Sequence, residues 1–150
     1  MSFSITRIVE FHETDMAGMV HFANFFKYFE AAESEYFRAL GWSIFDADAN
    51  LRWPRVSVSC DFKRPVRFGD QVRVDLMVRS VDCRSLELEF ILYREANNES
   101  SVAATGRCVN VCAYYDAASR RVRARSIPDE LLAALQCDIG ASQAATEAAK

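Results

Sequence analysis

The sequence has only two histidines, His12 and His21, and its five cysteines (Cys60, Cys83, Cys108, Cys112 and Cys137) include no Cys-x-x-Cys pair. A structural metal centre needs several such ligands at short spacing, so no metal is expected, and Cys108 and Cys112, which could share a strand face, are expected to be core thiols. Positive charge is scarce as well. The chain carries 18 lysines and arginines against 21 acids, a net charge of −3. Binding a phosphate backbone needs a basic surface, which removes nucleic acid from the expected partners. No apolar run approaches the length that spans a bilayer. The first residues include Arg7 and Glu10 where a signal peptide would be continuously apolar. The expected location is the cytosol.

What the chain does have is apolar material: 150 residues, 51% of them hydrophobic, enough for one ordinary domain that buries roughly two thirds of its unfolded surface. Residues 3 to 11 alternate loosely, with Ile5, Val9 and Phe11 on one side, and predict a short strand. At Phe22 the period changes. Phe22, Phe25, Phe26, Phe29, Ala32, Tyr36, Phe37 and Leu40 recur at three and four, predicting an amphipathic helix of about five turns closed by Gly41 as a left-handed cap. Strand alternation follows at 56–62, 72–78, 86–92 and 102–113, with turns at Asn97–Ser100 and Asp116–Ser119. The pattern is α+β: an N-terminal strand, one long helix, then a mostly antiparallel four-stranded meander that curls around it. A short closing helix is expected at Pro128–Leu135, and the Ala/Ser/Gln/Glu-rich tail 140–150 is expected to be disordered.

The stretch FHETDMAGMVHFANFF, residues 11 to 26, places Asp15, Gly18 and His21 just before the aromatic helix. Two readings of Asp15 stand on spacing alone. In one it satisfies free N–H groups near the helix start while His21 is a packed polar residue. In the other it faces a pocket where the free N–H groups and the helix dipole stabilise a developing oxyanion, as a thioester carbonyl would need.

The run Glu13-Thr14-Asp15-Met16-Ala17-Gly18-Met19-Val20-His21-Phe22-Ala23-Asn24-Phe25, continued by Tyr28-Phe29-Glu30-Ala31-Ala32, resembles the signature of the 4-hydroxybenzoyl-CoA thioesterase-like branch of hotdog-fold acyl-CoA thioesterases. The resemblance extends through Pro54-Arg55-Val56, Phe62-Lys63-Arg64-Pro65-Val66, Gly69-Asp70-Gln71-Val72 and Ala104-Thr105-Gly106. It implies a five-stranded antiparallel sheet wrapped around one central helix over residues 1–139, assembled as a homodimer or homotetramer with active sites between subunits. It implies no cofactor. Asp15 matches the family's catalytic carboxylate, acting as nucleophile or as general base on water, and the Phe22 backbone N–H matches the group that polarises the thioester carbonyl.

Three features depart from the family pattern: His21 precedes Phe22 where many relatives place an aromatic before a histidine or proline, Phe25 replaces a common tyrosine, and Glu33 stands where relatives often hold arginine or serine. Arg84 and Ser85 resemble a basic-then-serine turn that relatives set against the anionic nucleotide half of coenzyme A, and Lys63 with Arg64 forms a second candidate cluster. Phe25 and Phe26 are candidates for the acyl pocket. Glu33 falls near the centre of the aromatic stripe, so burial there requires a partner, and an ion pair is expected. Glu30 is expected to brace the sheet or the dimer. Two other readings are open on the same fold: a module that binds acyl thioesters or a protein without turnover, and an acyl-thioester hydratase or dehydratase, which the Asp15-to-His21 spacing fits less well.

Overall fold

Phenylalanines spaced at three and four make a helix that cannot stay in water, and the sheet supplies its cover. The computed structural model describes residues 3–148, with side chains through Ile139. In chain order the elements are β1 (Phe3–Ile8), a 3-10 turn (Phe11–Glu13), α1 (Phe22–Ala39), β2 (Phe45–Asp46), β3 (Leu51–Arg52) and β4 (Arg55–Phe62). They continue with β5 (Gln71–Val81), β6 (Ser85–Ala96), β7 (Glu99–Val111), β8 (Ala113–Asp116), β9 (Arg121–Ala124) and α2 (Asp129–Ala148).

The helix begins and ends as its sequence predicts. Leu40 closes it and Gly41 follows at φ +80°. Phe25, Tyr28, Phe29, Ala32, Glu33, Tyr36 and Phe37 form its buried stripe. Five antiparallel strands in the order β1-β5-β6-β7-β4 wrap that stripe. Val72, Val74, Leu76 and Val78 from β5 and Leu86, Leu88, Phe90 and Leu92 from β6 alternate inward into one core with the helix. The Asn97–Asn98 turn, both residues at positive φ, joins β6 to β7 with the twist a two-residue hairpin requires.

Three expectations change. The strand at 56–62 does not lead a meander: β4 pairs with β7 and lies at the edge opposite β1. The first strand stops at Ile8, and Phe11 is 76% exposed, because the 3-10 turn starts there. The closing helix continues past Leu135 to Ala148, since no residue between them breaks it. The side chains of the expected disordered tail, and all of residues 149–150, lie outside the described residues. A second sheet, β2-β3-β8-β9, also forms; its two-residue strands are too short to show alternation. No helix of the described residues is long and apolar enough to cross a membrane.

Gly106 of β7 sits directly beneath the helix. A Cβ there would lie 2.4 Å from Phe29 Cε2 and 2.9 Å from Cζ, and the Phe29 ring is held by stacking on Phe90 with centroids 4.8 Å apart. Gly106→Ala is therefore expected to cost about 1–3 kcal/mol by forcing the ring off its seat, measured by chemical denaturation.

Candidate active site

The loop between the 3-10 turn and α1 is a tight, closed device. Thr14 bridges Val20, Asp15 N donates to Met19 O at 2.8 Å, and Gly18 N donates to Asp15 O at 3.0 Å, with Gly18 at φ +76°. Glu13 anchors it from below. This carboxylate is only 8% exposed, and it accepts from Glu10 N at 2.8 Å and from the Tyr28 hydroxyl at 2.6 Å. Burial, with the Glu13 carboxylate beside it, raises the Tyr28 hydroxyl well above its ordinary pKa, so it stays a donor. Glu13 O in turn accepts from His21 N and from Asn24 Nδ2, tying the loop to the first helical turn. On the other side, Val20 N donates to Val66 O and Met19 bridges Arg67.

The cap of α1 is not the residue that the bland reading of the sequence supplies. The cap is His21, whose Nδ1 accepts from Ala23 N at 3.2 Å and whose ring lies beside that of Phe22, tilted by 30° with centroids 4.5 Å apart. Asp15 is not a helix cap. Its Oδ1 accepts from Ala17 N at 2.8 Å inside its own turn, and Oδ2 takes part in no described hydrogen bond. At the helix start, Asn24 N donates to His21 O, while the Phe22 N–H is used by no described hydrogen bond.

Asp15 lies on the rim of an open groove of about 400 Å³ lined by Met19, Val20, Phe22, Phe25, Phe62 and the segment Lys63–Val66. Phe22 and Phe62 are largely exposed in it, and Phe25, buried, meets the Phe62 ring edge-on at 5.1 Å. Of the residues singled out in the sequence, the groove gathers Asp15, Phe22, Phe25, Lys63 and Arg64. Gly18 shapes its loop. His21 is not among the lining residues, and Phe26 lines a separate cavity further along the helix.

Arg84 and Ser85 lie elsewhere on the same chain. Their turn is organised by Asp82, which accepts from Arg84 N, Ser85 N and Ser85 Oγ at 2.7–2.8 Å. The Ser85 hydroxyl, helped by the two backbone N–H groups, pulls the Asp82 carboxyl down to about 2. A depressed carboxyl steadies the turn above its ordinary range near 4 and releases it as pH falls toward 2. Ser85→Ala is expected to move the Asp82 titration back up, read by carboxyl-carbon NMR.

Sequence reasoning missed the partners of a second constellation, centred on Glu33. Glu33 is 1% exposed and its two oxygens accept from Arg55 Nη2 and Asn110 Nδ2; Glu30 lies 3.6 Å from the same guanidinium. Desolvation raises the Glu33 carboxyl above its ordinary value, against the opposing pull of Arg55 and Asn110. The Cys108 thiol donates to Asn110 Oδ1 at 2.9 Å, and burial pushes it up to about 11. The expected ion pair is present. Its partners could not be found from spacing, because they lie on strands 22 and 77 residues away. For a metal, the one converging set among the described residues is Glu10, His12 and Glu13, and Glu13 is already held by Tyr28 and Glu10 N.

A five-stranded antiparallel sheet wrapped around one long helix is the hotdog arrangement found in thioesterases. The chain belongs to the Thioesterase-like superfamily, whose family model matches residues 9–135. It is 31% identical over 134 residues to the 1,4-dihydroxy-2-naphthoyl-CoA hydrolase of Nostoc punctiforme, covering 88% of this chain and 85% of that protein. Two solved structures share the fold. A 1,4-dihydroxy-2-naphthoyl-CoA thioesterase from Synechocystis matches with TM-score 0.80 at 21% identity, covering 93% of this chain and 98% of the other. The 4-hydroxybenzoyl-CoA thioesterase from Pseudomonas sp. strain CBS-3 matches with TM-score 0.78 at 20% identity, covering 87% and 96%.

Proposed function

We propose that the protein hydrolyses acyl-CoA thioesters at the Asp15 groove. The observation that carries this reading is the pairing of a carboxylate with one unengaged oxygen and a helix-start N–H with no described partner, both on one apolar groove. The thioester oxygen accepts from Phe22 N–H, where the helix dipole favours the charge that develops as the carbonyl is attacked. Asp15 then acts in one of two ways. As nucleophile it forms a mixed anhydride as the carbon–sulfur bond breaks; the thiolate leaves with coenzyme A and water hydrolyses the anhydride. As general base it takes a proton from water, which attacks directly and expels the thiolate.

The nucleotide phosphates of coenzyme A require cations. Lys63 and Arg64 on the groove supply two in the same chain. Arg84 and Ser85 lie outside that groove and serve a neighbouring subunit in a homodimer or homotetramer. The exposed row Val56, Val58 and Phe62 on edge strand β4 supports such pairing, since an uncovered apolar edge strand invites a second chain. All five cysteines are free thiols, which suits a cytosolic protein.

Thiol release from short, long and aromatic acyl-CoAs tests the reading. Release from at least one, with coenzyme A and free acid as the products, supports it. No release from any, alongside tight acyl-CoA binding, replaces it with a binding module.

A further inference from the structure

Glu13 is a buried carboxylate two residues before Asp15, and it is held from both sides of the loop. Its Oε2 accepts from the Tyr28 hydroxyl at 2.6 Å and from Glu10 N at 2.8 Å. Its main-chain oxygen accepts from His21 N at 3.0 Å and from Asn24 Nδ2 at 2.7 Å. Asn24 and Tyr28 stand four residues apart on α1 and so share one face of the helix. The helix therefore grips a single residue of the preceding loop twice, by its main chain through Asn24 and by its side chain through Tyr28.

Both groups that thioester hydrolysis would use hang from this one residue. On the loop side, the Thr14–Val20 bridge and the Asp15 N to Met19 O bond close the turn that carries the Asp15 carboxylate, and that turn begins directly after Glu13. On the helix side, Glu13 O holds His21 N, and the next amide along the chain is the Phe22 N–H. The distance between carboxylate and N–H is thus set through Glu13. A carboxylate is a costly way to fill a buried space, since its charge must be taken out of water. What it returns is stiffness: an O–H···O⁻ bond of 2.6 Å lies in the charge-assisted range, where such bonds are about twice as strong as neutral ones. The Tyr28 ring, 1% exposed and met edge-on by Phe25 with centroids 6.4 Å apart, gives that bond a fixed anchor in the core.

Resting on the reading of the Asp15 groove as the thioester site, we propose that Glu13, anchored by Tyr28, is a positioning residue of the reaction: it fixes the gap between the Asp15 carboxylate and the Phe22 N–H. Glu13 is 8% exposed and is not among the residues lining the groove, so it acts through those two groups and does not touch the substrate. A displacement of about 1 Å between reacting groups costs about a hundredfold in rate. Loosening the Glu13 tether therefore lowers kcat, while the groove walls that bind the substrate keep their shape.

Tyr28→Phe, measured beside Tyr36→Phe, tests this. Tyr36 lies two turns further along the same helix and donates its hydroxyl to Asp138, so each variant removes one tyrosine-to-carboxylate bond and only the first touches the loop. Both are assayed well below their melting temperatures. Tyr28→Phe is expected to lower kcat about tenfold while KM changes by less than about threefold, and Tyr36→Phe to leave both at the wild-type value. Glu13→Ala should lose about a hundredfold in kcat, and Glu13→Gln, which keeps an acceptor for both donors, should recover about tenfold of that loss. Amide exchange followed by NMR reads the tether itself. The Ala17 N–H, which donates to Asp15 Oδ1, and the His21 N–H, which donates to Glu13 O, should exchange about tenfold faster in Tyr28→Phe and at the wild-type rate in Tyr36→Phe. Wild-type kcat in Tyr28→Phe overturns the proposal, as do equal losses in the two tyrosine variants, a loss confined to KM, or Glu13→Gln no better than Glu13→Ala. Should Glu13→Ala fail to fold, the tyrosine pair decides. If the wild type releases thiol from no acyl-CoA, the thioesterase reading has failed; exchange at Ala17 and His21 then decides the tether by itself, with unchanged rates in Tyr28→Phe against it and faster rates for it.

Discussion

Asp15→Asn is expected to lower kcat for acyl-CoA hydrolysis by about a hundredfold to ten-thousandfold, the range associated with loss of a positioned base, and by more if Asp15 is the nucleophile. The fold should survive. Asn keeps an oxygen to accept from Ala17 N, so the turn of Thr14 to Val20 retains its closure, and nothing buried depends on the carboxylate charge. A thermal midpoint near that of the wild type, together with the lost rate, separates chemistry from folding. Substrate binding should weaken little, because the groove walls at Phe22, Phe25 and Phe62 are untouched. The loss should therefore appear in kcat more than in KM. Single turnover of the wild type in ¹⁸O-water probes the nucleophilic route: label entering the Asp15 carboxylate identifies an anhydride opened at the aspartyl carbon, whereas label confined to the acid product fits both general-base attack and an anhydride opened at the acyl carbon. Equal rates for wild type and Asp15→Asn would remove this residue from the mechanism.

His21 shows how a local motif can mislead in its details. The sequence places a carboxylate and an imidazole six residues apart before a helix, and the bland reading gives the helix-start N–H groups to Asp15 and leaves His21 as a packed polar residue. The fold assigns the cap to His21 because the Thr14–Val20 bridge closes the loop around Asp15 first, turning its carboxylate back toward Ala17. That closure depends on backbone hydrogen bonds at Met19 and Val66, which residue types do not report. The helix itself was legible, because eight apolar side chains at three-and-four spacing admit no other structure. The sheet was legible strand by strand but not in its order. Alternation shows that 56–62 is extended, yet it says nothing about whether that strand joins β5 or crosses to β7. Placing β4 at the far edge is what brings Arg55 to Glu33. The carboxylate on the aromatic stripe showed that a partner was needed, and only the topology says which.

Arg55→Ala is expected to lower folding stability at pH 7 by about 3 kcal/mol, the lower part of the range for removing one partner of a buried pair, because Arg55 itself keeps one third of its exposure. For a chain of this length that is a fall in Tm of roughly 6 to 12 °C. The deficit should depend on pH. Burial already raises the Glu33 carboxyl, with Arg55 the largest influence pulling it back down. Removing the guanidinium raises it further, so the folded variant holds the Glu33 proton to higher pH than the unfolded chain does. A raised carboxyl gives stability that is present below the unfolded value near 4.5 and lost as pH rises through the folded one. The gap between wild type and Arg55→Ala should therefore narrow at pH 4 and widen toward pH 7, measured by urea denaturation at both. Glu33→Gln added to Arg55→Ala should recover much of the loss at pH 7, since Gln keeps an acceptor for Asn110 and carries no charge to bury. A deficit of the same size at both pH values, unrelieved by Glu33→Gln, would mean that Arg55 stabilises through the packing of its alkyl stem. In that case the charge of the buried Glu33 carboxylate would contribute little to the variant's deficit.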